Sequence, residues 1–265
     1  MKKRLLAAVT AVLLTAALSA SALAAEQPVG TLNKAPRPME QETPFITQCE
    51  LGSVVADAFR AAGGTQIALV ETAMLSADLI QGDITRSDVE RVFADNEPLV
   101  TTRLTARQLY GLLENAVAAI TVDPATEHID VDKAEQNRAF CQVSGFTLRY
   151  DASAPAGERV VLLRLDDGTE LERTDDATAV TVTAPEALLD GETLGVTCVD
   201  ALFSYLADRS ELPEGETERI SVIGARENTI GGLFPRWLIV VGVGILAALL
   251  AMSGLRLKRH KEEFD

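Results

Sequence analysis

Residues 47–70 read TQCELGSVVADAFRAAGGTQIALV, and this stretch decides the class of fold. Cys49, Val54, Val55, Ala58 and Phe59 recur at the three- and four-residue spacing of one helix face. Ala61-Ala62-Gly63-Gly64 stops that helix, since glycine takes up the backbone conformation of a helix end at little cost. Gln66-Ile67-Ala68-Leu69-Val70 follows as a short apolar run suited to a buried strand. A helix delivered straight into a buried strand points to layers that mix the two element types.

Working outward, Gly82-Asp83-Ile84-Thr85 reads as a turn into a short helical segment. Thr85 or Ser87 would cap it, with Asp88 and Glu90 near its positive end. Pro98 to Leu104 reads as a strand. Thr105 then caps a helix whose inner face is Leu109, Leu112, Leu113, Val117 and Ile120. After Pro124 the character turns to β. Phe140 to Tyr150 reads as one strand with a bulge at Gly145. Arg159 to Leu165 and Glu170 to Arg173 flank an Asp167-Gly168 turn, and Ala179 to Thr183 is a further strand. A last helix spans Cys198 to Leu206. Early helix–strand units and late hairpins together predict a single mixed α/β (α+β) domain over 47–208.

The flanks read differently. Pro28, Pro36, Pro38 and Pro44 among polar residues mark 26–46 as a linker, and 209–235 as a polar stalk. Met1-Lys2-Lys3-Arg4, the apolar run Leu5 to Leu18 and the ending Ala22-Leu23-Ala24-Ala25 have the three parts of a signal peptide, 1–25. Residues 237–255, WLIVVGVGILAALLAMSGL, carry no charge and match a ~30 Å hydrocarbon core at helical rise. Residues 236–255 are therefore expected to be a transmembrane helix. Arg256, Lys258, Arg259 and Lys261 make 256–265 a basic cytoplasmic tail, which leaves the domain extracytoplasmic on a single-pass anchor in the cell membrane.

Charge narrows the partners. The chain has 24 Lys and Arg against 39 Asp and Glu. Removing the seven cations and three acids of the two ends leaves 17 against 36, so the exported part is near −19. Such a surface repels phosphate backbones, which argues against nucleic acid as a partner. The three cysteines, Cys49, Cys141 and Cys198, fit no zinc spacing; they read as buried small hydrophobes or as one disulfide with one thiol left over. Of two histidines, His260 falls in the tail. His128 lies in a polar loop with no Gly-x-Ser-x-Gly turn anywhere to partner it. No catalytic residue, metal ligand or cofactor follows from these patterns.

The order of segments resembles the C-terminal domain of 5′-nucleotidases. The resemblance rests on Glu50-Leu51-Gly52-Ser53-Val54-Val55-Ala56-Asp57-Ala58-Phe59-Arg60, on Ile67 to Val70 leading through Ala77-Asp78-Leu79 to Gly82-Asp83-Ile84-Thr85, and on Leu104-Thr105-Ala106-Arg107-Gln108-Leu109 with Leu113-Glu114. Gln142-Val143-Ser144-Gly145-Phe146 and the Asp167-Gly168 hairpin continue the order, so the resemblance covers roughly 47–200. In that family the resemblance implies a nucleoside-binding domain beside a two-metal phosphatase domain that carries out hydrolysis. One histidine outside the tail cannot furnish such a metal pair, so the chain reads as a lone C-terminal domain.

At the implied nucleoside cleft this sequence departs from the pattern. Glu71-Thr72-Ala73-Met74-Leu75-Ser76 stands where the family has a glycine-rich turn ending in arginine, with Ser76 at the arginine. Phe93-Ala94-Asp95-Asn96-Glu97 corresponds to the family's Pro-Phe-x-Asn turn; a one-residue insertion puts Phe93 and Asn96 in the ring and amide roles, whereas without it Asp95 replaces the ring. Glu186 falls near the second aromatic. Ser76, Phe93 and Asn96 are thus the candidate, vestigial substrate-binding positions. Three functions follow as expectations: a non-catalytic binding or scaffold module, a nucleotide-binding component acting with a separate metallophosphatase chain, or a protein-interaction domain without a nucleotide role.

Overall fold

Cys49 opens the first helix. In the computed structural model, which describes residue 28 and residues 30–207, 209 and 217–226, its thiol accepts the Gly52 amide at 3.2 Å and caps α1 (Glu50–Gly63). The helix starts at Glu50, and the Cys49 amide before it is donated to Gln142 Oε1 at 2.8 Å. Gly64 ends the helix at φ 60°, a left-handed conformation that glycine adopts without strain.

Upstream, β1 (Gly30–Leu32) pairs antiparallel with β3 (Gly82–Ile84), leaving β2 (Ile67–Glu71) to run from α1 into the centre of the molecule. The Thr85 hydroxyl and Asp88 carboxylate cap each other's backbone to start α2 (Arg86–Val92). The strand β4 (Pro98–Thr105) leads into α3 (Ala106–Val117), where Thr105 and Gln108 form the same reciprocal cap. A short α4 (Val131–Glu135) follows. Then come β5 (Cys141–Ser144), β6 (Phe146–Asp151), β7 (Val160–Leu165), β8 (Glu170–Leu171), β9 (Ala179–Pro185) and β10 (Glu192–Thr197). The helix α5 (Cys198–Ala207) and β11 (Ile220–Ile223) complete the described chain.

Two sheets organise the body. The first has the order β10-β4-β9-β2-β5 and the second β11-β6-β7-β8. β2 is buried on both faces, and its side chains alternate between two cores. Ala68 and Val70 pack with Leu51, Val55 and Phe59 of α1 and Leu202 of α5. Ile67 and Leu69 pack with Leu109 and Leu113 of α3 and with Phe146, Leu148 and Tyr150 of the second sheet. The mixed α/β reading therefore holds, as helices and a second sheet covering opposite faces of one central sheet.

Several expectations on local structure are corrected. Phe140 to Tyr150 is not one bulged strand. Gly145, at φ 88°, breaks it into β5 in the first sheet and β6 in the second, and a Cβ there would lie 2.1 Å from the Gln66 carbonyl oxygen. The 26–46 linker is part of the folded body: Leu32 and Ile46 are buried, and the Pro44 carbonyl accepts from Gln142 Nε2 at 2.6 Å and Thr72 Oγ1 at 2.9 Å. Gly82–Ile84, expected as a turn, is a strand. Within the expected stalk, β11 pairs parallel to β6, and Arg219 just before it grips Asp57 of α1 through two nitrogens at 2.8 and 3.1 Å. The signal peptide, the transmembrane helix and the basic tail lie outside the described residues. Among the described residues no helix is long and apolar enough to cross a membrane.

Candidate functional site

Three segments meet beyond one end of the central sheet: the turn after β2, the chain between α2 and β4, and the loop after β9. The Ser76 amide donates to the Val92 carbonyl at 2.7 Å and Ala94 donates to Met74 at 2.8 Å, so the first two run side by side. Glu186 donates its amide to the Pro98 carbonyl at 2.9 Å and brings in the third. The positions read from sequence as a cleft are thus neighbours in space.

Two of their side chains, Phe93 and Asn96, are used by the fold. Phe93 is 6% exposed, and its ring stacks on Phe59 of α1 at 6.1 Å between centroids and 17° between planes. That face is spent on the core. Asn96 is exposed, but its side-chain oxygen accepts the Val199 amide at 3.1 Å at the start of α5. Its role is that of a helix cap. Thr72 is buried, gives its hydroxyl proton to the Pro44 carbonyl at 2.9 Å and accepts from Gln142 Nε2 at 2.9 Å. Ser76 is exposed and holds the turn through its backbone.

Carboxylates take the remaining places. Asp95 and Glu186 are exposed, and burial pushes the half-buried Glu71 carboxyl up, against the opposing pull of Arg138. A base-binding cleft needs a π-face on which to stack and cations for phosphate. Here Phe93 faces inward, and the outward groups are Ser76, Asn96 and the acids Asp95 and Glu186, with no cation among them.

The segment from Arg37 to Gln48 forms a loop with a cavity on either side. One cavity, about 240 Å³, touches Thr72 and Leu75 of the post-β2 turn as well as Glu40, Glu42 and Pro44. The other, about 570 Å³, lies between the loop and the β6–β11 face. Glu42 contributes to both. Its carboxyl is pushed up by burial, against the Glu50 amide it accepts at 3.1 Å and the Arg37 guanidinium at 3.1 Å. Arg37 also binds Glu50 through Nε at 2.6 Å. Sequence reasoning missed this trio because Arg37 and Glu42 lie in a proline-rich stretch with no periodicity, and nothing local ties them to Glu50 at the start of α1. Gln142 was visible only as part of a motif; the structure shows its amide joining β5, the loop and the post-β2 turn.

The other chemistry-bearing side chains are quiet. All three cysteines are free and buried. Burial raises the Cys49 and Cys198 thiols to about 12 and lifts Cys141 as well, so none is a ready nucleophile. His128 sits in a hairpin whose Val122 pairs with Ile129; its backbone pairs with that of Arg226, and its buried Nδ1 has no hydrogen-bond partner among the described residues. Among the described residues no group of three or more His, Cys, Asp or Glu could hold a metal ion.

Comparison with known proteins agrees with the fold. The family model "5′-nucleotidase, C-terminal domain" matches residues 28–183. In solved structures, the chain is similar to a 5′-nucleotidase precursor from Thermus thermophilus, with 22% identity and a TM-score of 0.62 over 82% of this chain and 43% of that one. It is also similar to the Haemophilus influenzae NAD nucleotidase, with 14% identity and a TM-score of 0.58 over 81% of this chain and 41% of that one. A Thermus thermophilus sulfate thiohydrolase shares the fold at 16% identity and a TM-score of 0.56, over 76% of this chain and 36% of that one. At these identities the likeness is one of fold, and the chain spans less than half the length of each neighbour. None of the curated proteins matches the sequence. The match starts at residue 28, inside the stretch read from sequence as a linker, where β1 and the loop are folded onto the body. Since it covers more than half of the chain and the architecture agrees, the chain belongs to the 5′-nucleotidase C-terminal domain family.

Proposed function

We propose that this chain is a membrane-tethered, extracytoplasmic binding or scaffold module in which the nucleotidase C-terminal fold is kept and the nucleoside cleft has been given over to the core. The observation that carries the reading is Phe93. With a one-residue insertion Phe93 is the ring at the base-stacking position, and it lies against Phe59 and is 6% exposed; without the insertion Asp95 stands there and offers no ring. Withdrawing it for a base would cost the buried contact, roughly 1.5–3 kcal/mol for a phenylalanine side chain, before any ligand contact is gained. The acids at Asp95 and Glu186 support the same reading, because they repel a phosphate.

The tether rests on the sequence: the leader at 1–25, the uncharged run at 237–255 and the cations after it. The two nucleotidase neighbours are more than twice the length of this chain's matched part, so their activities are a starting hypothesis here. A second reading is a nucleotide-binding component that works beside a separate metallophosphatase chain. The family match favours it; the cavity of about 240 Å³ beside the post-β2 turn does not, because Glu40, Glu42 and Glu135 line it and repel a phosphate.

Phosphate release from AMP tests the proposal, measured on the purified chain with added divalent metals. The non-catalytic reading expects no release above the protein-free rate. Turnover that disappears on Ser76→Ala or Asn96→Ala would overturn it.

A further inference from the structure

The larger cavity, about 570 Å³, shares none of the matched cleft positions and falls within the ~300–1,000 Å³ of ordinary small-molecule sites. Its wall is the Arg37–Gln48 loop. Its floor is the outward face of β6 and β11, where Arg149 and Ser221 are register partners.

Much of the wall is already committed. Arg37 is held by Glu42 and Glu50 at 3.1 and 2.6 Å, and the Thr43 and Thr47 hydroxyls share a bond of 2.9 Å. Four lining side chains are not committed. The Gln41 amide, the Arg149 guanidinium, the Glu218 carboxylate and the Ser221 hydroxyl make no hydrogen bond or ion pair among the described residues. One cation and one anion, left unpaired in a single polar groove with an amide and a hydroxyl, complement a ligand that carries both charges and polar groups between them. A nucleotide with its phosphate on Arg149 would leave Glu218 without a cation, and a polyamine on Glu218 would leave Arg149 without an anion.

We propose that this groove binds a short zwitterionic peptide, with its terminal carboxylate on Arg149, its terminal ammonium on Glu218, and Gln41 and Ser221 meeting its backbone amides. The site is separate from the matched cleft, so this assignment and the reading of that cleft can fail independently.

The test is calorimetric titration of the full chain with trialanine, with trialanine blocked by acetyl and amide groups, and with AMP. The expected result is binding of trialanine, weakened at least about tenfold by blocking the termini, since each lost charge-assisted bond is worth more than ~1.4 kcal/mol. Arg149→Ala and Glu218→Gln should each weaken trialanine to a similar extent while leaving the ligand-free melting temperature unchanged, because both side chains are exposed and unpaired. The proposal is overturned if millimolar trialanine gives no binding, if the blocked peptide binds equally well, if Arg149→Ala binds like the wild type, or if AMP competes with trialanine.

Discussion

Replacing Gln142 by alanine should destabilise the domain more than any exposed substitution. The side chain is 0% exposed. Its oxygen accepts the Cys49 amide at 2.8 Å, and its nitrogen donates to the Pro44 carbonyl at 2.6 Å, with Thr72 Oγ1 at 2.9 Å also in reach. Alanine leaves the buried Cys49 amide without an acceptor, a desolvation cost of about 1–3 kcal/mol. It also opens a void against Gly52, where an added Cβ would stand 2.4 Å from Gln142 Oε1, and residual cavities cost roughly 24 cal/mol per Å³. The sum is on the order of 3 kcal/mol. For a body of ~150–250 residues each kcal/mol moves the melting temperature by about 2–4 °C, which gives a fall of about 6–12 °C. Differential scanning calorimetry reads it directly. Gln142→Met, which fills the void without restoring the bonds, should recover only part of the loss. An alanine variant melting within about 2 °C of wild type would refute the claim that this amide ties the loop to the sheet.

Acid should weaken the helix caps. The Thr85 hydroxyl and backbone amide hold the Asp88 carboxyl below its ordinary value, and Arg86 does the same for Asp200 with help from Thr197. A depressed folded pKa gives stability that is present above the unfolded value, ~3.9, and is lost as pH falls through the folded value. The melting-temperature gap between wild type and Asp88→Ala should therefore narrow as pH drops below about 4; a constant gap would rule out the carboxylate as its source. With their thiols buried and raised, Cys49, Cys141 and Cys198 should react with a thiol reagent at neutral pH only on unfolding, and rapid labelling of the native chain would contradict the burial. Arg219→Ala should release the segment 217–226, costing about 2 kcal/mol and exposing it to proteolysis; an unchanged digest would show that β11 is held without the Asp57 pair.

The sequence made the periodic elements legible. α1, β2 and α3 each carry an apolar period and a cap or breaker within a few residues, so local physics suffices to place them. β1 and β11 have three and four residues, too few for a period, and their pairing partners lie some fifty and seventy residues away in sequence. The division of Phe140–Tyr150 into strands of two different sheets depends on the close approach of Gly145 to Gln66, a contact that no local pattern encodes. The site divides along the same line. The residue types at 71–76 and 93–97 were readable, and so was their departure from the family pattern. The direction in which Phe93 points was not, because it is set by Phe59 more than thirty residues earlier. The Arg37–Glu42–Glu50 trio escaped for a different reason: prolines and charges look alike in a linker and in a loop pinned by ion pairs.

The most direct test of the central claim is the thermal stability of the purified chain with adenosine and AMP, each raised to millimolar concentration. A nucleoside bound at ~100 times its dissociation constant would stabilise the fold by about 2.7 kcal/mol, a rise of several degrees. With Phe93 packed on Phe59 and acids at the cleft, neither compound should move the melting temperature. A clear rise with either one, removed by Asn96→Ala, would show that the nucleoside cleft is still in use.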